Sequence, residues 1–156
     1  MQLLIVAVGR RMPGWVQQGW AEYARRFPRG LSMDLKEVPL ARRSGNASVE
    51  ALREAEGSAL LNAAPAGYRR VALDQCGSQW TTAALAGRLA DWMREERGVC
   101  FLVGGPDGLA EDCRAQADDV WSLGCLTLPH PMVRVILAEQ LYRAWTITQN
   151  HPYHRE

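Results

Sequence analysis

The apolar positions of the chain follow two rhythms. Unbroken runs such as "QLLIVAV" (Gln2–Val8), "RRVALD" (Arg69–Asp74) and "VCFLVGG" (Val99–Gly105) have the pattern of strands buried on both faces of a sheet. "SMDLKEV" alternates instead, so Met33, Leu35 and Val38 are expected to face a core. Between these runs lie segments with helical spacing and definable ends. Pro13 opens a helix expected to reach about Phe27, where Pro28 and Gly30 stop it. Asn46 or Ser48 caps a second helix reaching about Ala64, and Thr81 or Thr82 leads into a third over about Ala83–Glu96. A shorter helix is expected over about Leu109–Ala117, followed by strand-like pieces in "DVWSLG" and "LTL" and a long helix from about Pro131 to Gln149. Strands alternating with helices of roughly 10–15 residues predict an α/β fold, a mostly parallel sheet with helices on both faces.

The final helix is nearly without a polar side. Between Met132 and Gln149 its only charges are Arg134, Glu139 and Arg143, the last two at pairing distance. A helix apolar all round has to be covered all round. One side is expected on the sheet, and the other, with Leu141 and Trp145, against a second copy related by two-fold symmetry.

Composition narrows the class. Apolar content of 47% and charged content of 22% are those of a soluble globular protein, read as one domain over residues 1–156. No apolar run approaches the roughly 20 residues of a membrane span. The N-terminal run reads as a buried strand, not a signal peptide, and four scattered cysteines without a C-x-x-C pair point to a reduced, cytoplasmic setting. The net charge of +1 conceals an asymmetry: residues 1–43 hold eight Lys/Arg against three Asp/Glu. Arg10–Arg11, Arg25–Arg26 with Arg29, and Arg42–Arg43 are candidates for phosphate contact, with solvated surface charge as the competing reading. Seventeen arginines against one lysine suit RNA.

Three stretches carry candidate chemistry. "FLVGGPDG" places Gly104 and Gly105 at the carboxyl end of a buried strand, where open α/β sheets bind ligands, with a plain tight turn as the competing reading. It is not G-x-G-x-x-G and no Walker lysine follows, so neither a pyrophosphate nor a triphosphate is indicated. "WSLGCLTLPHP" offers a small apolar loop, Leu123–Leu128, able to hold an adenine between aliphatic side chains, and a rigid "PHP" that fixes His130. The third stretch is the tail "HPYHRE", which brings His151 and His154 together with Tyr153. Its H-x-x-H spacing is not completed by a zinc-type ligand set, so no metal is expected.

Taken in order, "GGPDGL", "WSL…LTLPHP", "VRVILAEQLYRAW" and "NHPYHRE", with "AVGRRMPGWVQQGWAEYARRFP" at the start, resemble the small stand-alone SPOUT-class methyltransferases of large-subunit ribosomal RNA. Asp107, where that family suggests Glu, and Gly124–Cys125 are mild departures. The resemblance covers the whole chain. It implies a C-terminal trefoil knot, an obligate homodimer and S-adenosyl-L-methionine as cofactor. The implied cofactor contacts are Leu73, Gly104, Leu123, Gly124, Cys125, Leu126, Thr127 and Leu128. The implied substrate is N3 of a pseudouridine in the large ribosomal subunit, and its imide proton has to be removed. His130, Tyr153 and His154 are the candidate groups for that work, either histidine being the acceptor. Arg155 would orient the base or a phosphate, and Arg10, Arg25 and Arg42 would hold RNA. Another RNA target, or a ribosome-binding factor without chemistry, are the alternatives.

Overall fold

Strand β1 (Gln2–Val8) is the centre of the molecule, and its continuous apolar run is used on both sides. Leu3, Ile5 and Ala7 enter one core layer, while Leu4, Val6 and Val8 enter the other. The computed structural model describes residues 1–43 and 45–154. Along the chain follow α1 (Gly14–Ala24), β2 (Ser32–Val38), α2 (Val49–Ala63), β3 (Arg69–Gln79) and α3 (Thr82–Glu95). Then come β4 (Gly98–Val103), α4 (Glu111–Ala115), β5 (Asp119–Ser122), α5 (His130–Thr148) and a 3-10 turn at Pro152–His154. The five strands form one parallel sheet in the order β2-β1-β4-β3-β5. Helices α1, α3 and α5 cover one face and α2 and α4 the other, which is the α/β arrangement expected from the alternation of patterns.

Several boundaries differ from the sequence expectation, for local reasons. Ser48 and Thr81 are the caps of α2 and α3, each accepting a backbone N–H at 3.1 Å. Helix α1 ends at Ala24, before Phe27, because its last N–H groups close a tighter turn ahead of Pro28. Strand β3 runs on to Gln79, five residues past Asp74, the end expected from the apolar run. The "LTL" segment forms no strand; it is part of the loop between β5 and α5. Helix α4 is a single short turn of five residues. Val38 is buried as expected but faces the layer opposite Met33 and Leu35, as strand periodicity requires.

Helix α5 corrects the expectation about its far side. Leu137, Ala138, Leu141 and Ala144 are fully buried in the core shared with the sheet, α1 and α3. Trp145 packs on Phe27 and Tyr142 of the same chain, with ring centroids 6.1 and 5.7 Å apart. The chain's own helices therefore cover most of α5, and Leu141 is a core residue with no part in an interface. Leu141→Ala is expected to lower unfolding stability by about 2–5 kcal/mol. Denaturant titration should show this as a lower midpoint at unchanged slope.

Candidate active site

The carboxyl ends of β1, β3, β4 and β5 meet at one edge of the sheet, and two loops are shaped there by glycines. After β4 the chain reverses at Gly104–Gly108, closed by the Gly108 N–H donating to the Gly105 carbonyl at 3.0 Å. A side chain at Gly104 would lie 2.7 Å from the Gly108 backbone, and Gly108 has φ +84°. These glycines admit the chain's own return, the tight turn that the sequence reading set beside a ligand's approach. In β3, Leu73 and Ser78 both pair with Trp121, so residues 74–77 loop out and the strand then rejoins β5. Gly77 allows this, since a Cβ there would meet the Trp121 backbone at 2.7 Å.

The looped-out segment and the β5–α5 connection are tied together. Gln75 Nε2 donates to Thr127 Oγ1 at 3.4 Å, and Gln79 Nε2 to Cys125 Sγ at 3.0 Å. Gly124, at φ +141°, is held through Ser122, whose hydroxyl contacts the Gly124 N–H and carbonyl. Between these loops and the glycine turn opens a cleft of ≈ 460 Å³. Leu73, Gly104, Leu123, Gly124, Leu126, Thr127, Leu128 and His130 line it. Cys125 is exposed and is not among the lining residues. The lining also contains Arg53, Asp74, Asp107 and Arg114, a charged corner of which only Asp107 belongs to a motif named above. Helix α2 and the glycine turn reach this corner from distant parts of the sequence.

His130 is the first residue of α5, behind Pro129 in an extended conformation, with Pro131 in the first turn where its missing N–H costs nothing. Burial, followed by the nearby Arg134 cation, pulls the imidazole below its usual pKa of about 6.5, so it is neutral at neutral pH. Arg134 itself is fully buried and was missed as a functional residue, although it is the only charge in the first half of an apolar helix. Its guanidinium donates to the carbonyls of Val8 at 2.9 Å and Gly9 at 2.7 Å, and to Glu37 Oε1 at 2.5 Å.

A family model described as "Predicted SPOUT methyltransferase" matches residues 1–154. The chain is also 53% identical over 156 residues to the "Ribosomal RNA large subunit methyltransferase H" of Thioalkalivibrio sulfidiphilus (strain HL-EbGR7), covering 100% of both sequences. The chain belongs to the SPOUT methyltransferase family. In this SPOUT methyltransferase the parallel sheet and its edge cleft are thus parts of a methyl-transfer enzyme. Two buried donors in the lining, Arg53 Nε and Trp121 Nε1, have no partner among the described residues.

The tail of the methyltransferase lies elsewhere in the same chain. Asn150, at φ +51°, ends α5 in a left-handed cap, and the His151 N–H returns to the Thr146 carbonyl at 2.9 Å. This turns the tail back along α5. Tyr153 packs edge-on against Tyr142 (4.9 Å), under the Arg143 guanidinium (5.0 Å), and its hydroxyl donates to Glu139 at 3.1 Å. Burial, with Tyr23 and Glu139 adding to it, pushes the Tyr153 phenol above its usual range. His154 is half-buried, with its Nδ1 unpartnered among the described residues. Glu139 is nine residues beyond His130, on the order of 13 Å along the helix. Neither Tyr153 nor His154 lines the cleft of its own chain. Arg155 lies outside the described residues.

The arginines of the N-terminal third also divide. Arg10 and Arg42 are exposed just beyond β1 and β2, at the edge that holds the cleft. Arg25 caps the far end of α1 and is engaged by Glu22. Among the described residues no three His, Cys, Asp or Glu side chains are grouped as metal ligands, and no helix is long and apolar enough to cross a membrane. Burial raises the Cys100 thiol to about 12 and the Cys113 thiol to about 11, whereas Cys76 and Cys125 are exposed. Thiol titration of the native protein at pH 8 is expected to modify Cys76 and Cys125 quickly. Cys100 and Cys113 should react only after unfolding.

Proposed function

We propose that this chain, as one methyltransferase domain, uses S-adenosyl-L-methionine to methylate N3 of a pseudouridine in large-subunit ribosomal RNA. The observation that carries the proposal is the cleft. It gathers Leu73, Gly104 and most of Leu123–Leu128 around one space beside a neutral His130. A relative 53% identical over its whole length, with a name specifying large-subunit ribosomal RNA, supports the substrate class. The apolar loop would hold the adenosyl part, and the trefoil knot implied by the resemblance would lie where residues 74–79 meet residues 123–128. When bound, the cofactor supplies an electrophilic methyl group.

The protein's own residues have to do the rest. The imide nitrogen is nucleophilic only without its proton, so a neutral base must stand beside it. His130 meets that requirement, because its burial and the Arg134 charge both disfavour the imidazolium. The apolar lining excludes water that would compete for the methyl group. Tyr153 and His154 would serve the cleft of a second copy. Helices α1 and α5 pack directly, Gly19 against Val135, and their cleft-side ends expose Trp15 and Met132. A homodimer that laid this helix pair antiparallel against its copy would carry each tail, docked on α1 and α5, toward the partner's cleft.

Calorimetry should detect S-adenosylmethionine binding, and mass mapping of ribosomal RNA from a deletion strain should show one lost pseudouridine methylation. Absence of either result would refute the corresponding half of the proposal. Deleting residues 153–156 is expected to leave cofactor affinity within about tenfold, while methyl transfer falls by about two orders of magnitude or more. A mixed dimer pairing a tail-less subunit with a Gly124→Val subunit should keep one working site if tails act across the interface. Placing both lesions on one subunit should leave none.

For RNA, Arg10→Gln and Arg42→Gln are each expected to weaken binding and to reduce the salt slope by about one. Arg25→Gln should have a smaller effect on the same filter-binding titrations, because Glu22 already engages that side chain.

A further inference from the structure

A sulfonium centre carries three different carbon substituents, and the cleft has three chemically different walls. The apolar wall is Leu73 with the Leu123–Leu128 loop, and the wall nearest the start of α5 is His130 with Val133. The third is the charged corner of Arg53, Asp74, Asp107 and Arg114. If the first wall takes the adenosyl group and the second faces the acceptor base, the remaining substituent is the amino-acid chain, a zwitterion. We propose that Arg53 is the residue that binds its carboxylate. This assignment rests on S-adenosylmethionine being the cofactor.

The other cations of the corner are already committed. Arg114 is closed on Asp74 at 3.0 Å, on the Leu109 carbonyl at 3.3 Å and on Glu111. Arg43, at the rim, is paired with Asp107 at 2.5 Å. Arg53 makes one bond among the described residues, from Nη2 to Glu50 at 3.0 Å, and the Glu50 side chain is 60% exposed. An exposed pair of this kind is weak and easily exchanged. Its Nε is buried and has no partner among the described residues.

The helix aims this side chain. Arg53 stands one turn before Glu56, on the same face of α2. Glu56 is buried and lies against the glycine turn, with its Oε2 2.9 Å from where a Cβ on Gly105 would be. Its Oε1 accepts the Ala41 N–H at 3.0 Å, which anchors α2 to the segment after β2. Arg53 therefore overlooks the glycine turn from a helix that cannot easily shift. The side chain is 31% exposed, more enclosed than Arg43 at 43%. That enclosure suits a small planar carboxylate in two-point contact better than a phosphate of the RNA backbone.

The test compares S-adenosylmethionine with its decarboxylated analogue by calorimetry, so that binding is read without turnover. Arg53→Gln is expected to weaken S-adenosylmethionine by about ten- to hundredfold and to leave the decarboxylated analogue unchanged. Arg53→Lys, which keeps the charge but loses the planar fork, should show the same discrimination with a smaller loss. Equal losses for both ligands, or no loss for either, would overturn the assignment. So would an undiminished preference for the carboxylated ligand in Arg53→Gln combined with a shallower salt slope for RNA, which would reassign Arg53 to a phosphate. Wild-type protein that binds neither ligand would overturn the cofactor reading itself, and this assignment with it.

Discussion

A fully buried guanidinium sits at the junction on which the active edge depends. Arg134 projects from the first turns of α5 into the ends of β1 and β2, where it takes up two backbone carbonyls and one carboxylate. Carbonyls at the end of a central strand have no ladder partner and need one. A charge removed from water needs several polar partners at once. Each requirement meets the other, so α5 starts at one place on the sheet and in one orientation. His130, one turn earlier, inherits that position and a lowered affinity for protons. Burial at this edge lowers that affinity most, and the Arg134 charge adds to it.

The cleft is assembled from backbone excursions. Looping out residues 74–77 of β3 and reversing the chain after β4 both require glycines where a Cβ would strike main-chain atoms. These are the tightest approaches in the region, and the neighbouring atoms are backbone, which cannot yield as a side chain could. The outcome is an apolar slot with a charged corner at the carboxyl ends of the strands, the usual place for ligands in open α/β sheets. Its opposite lips are supplied by α2 and by the start of α5, so the site reports on both faces of the sheet.

The tail obeys a similar economy. Asn150 adopts the left-handed turn that caps α5, and Tyr153 then exchanges solvent for three aromatic and cationic neighbours. A terminus so held costs conformational entropy, which these contacts have to offset. The docking site is the α1–α5 groove, and neither Tyr153 nor His154 lines the chain's own cleft. The exposed Trp15 and Met132 lie at the cleft-side end of that same helix pair.

The strands and helices were legible because burial imposes a period on the residues: continuous in β1 and β4, alternating in β2, helical in α3. Ser48 and Thr81 marked helix starts through a side-chain oxygen acting on its own neighbourhood. The motifs "GGPDG" and "LGCLTLPHP" were legible for the same reason, since glycine and proline constrain the backbone where they stand. The extension of β3 was hidden, because the residues that rejoin the sheet are polar and pair by backbone groups alone. Leu141 was misplaced because an apolar side does not reveal which neighbour will cover it. Arg53 and Glu56 carried no local signal, and Arg134 only that of a lone charge near the start of an apolar helix. Their roles arise from contacts with residues far away along the chain, and such contacts exist only once the sheet has brought those segments together.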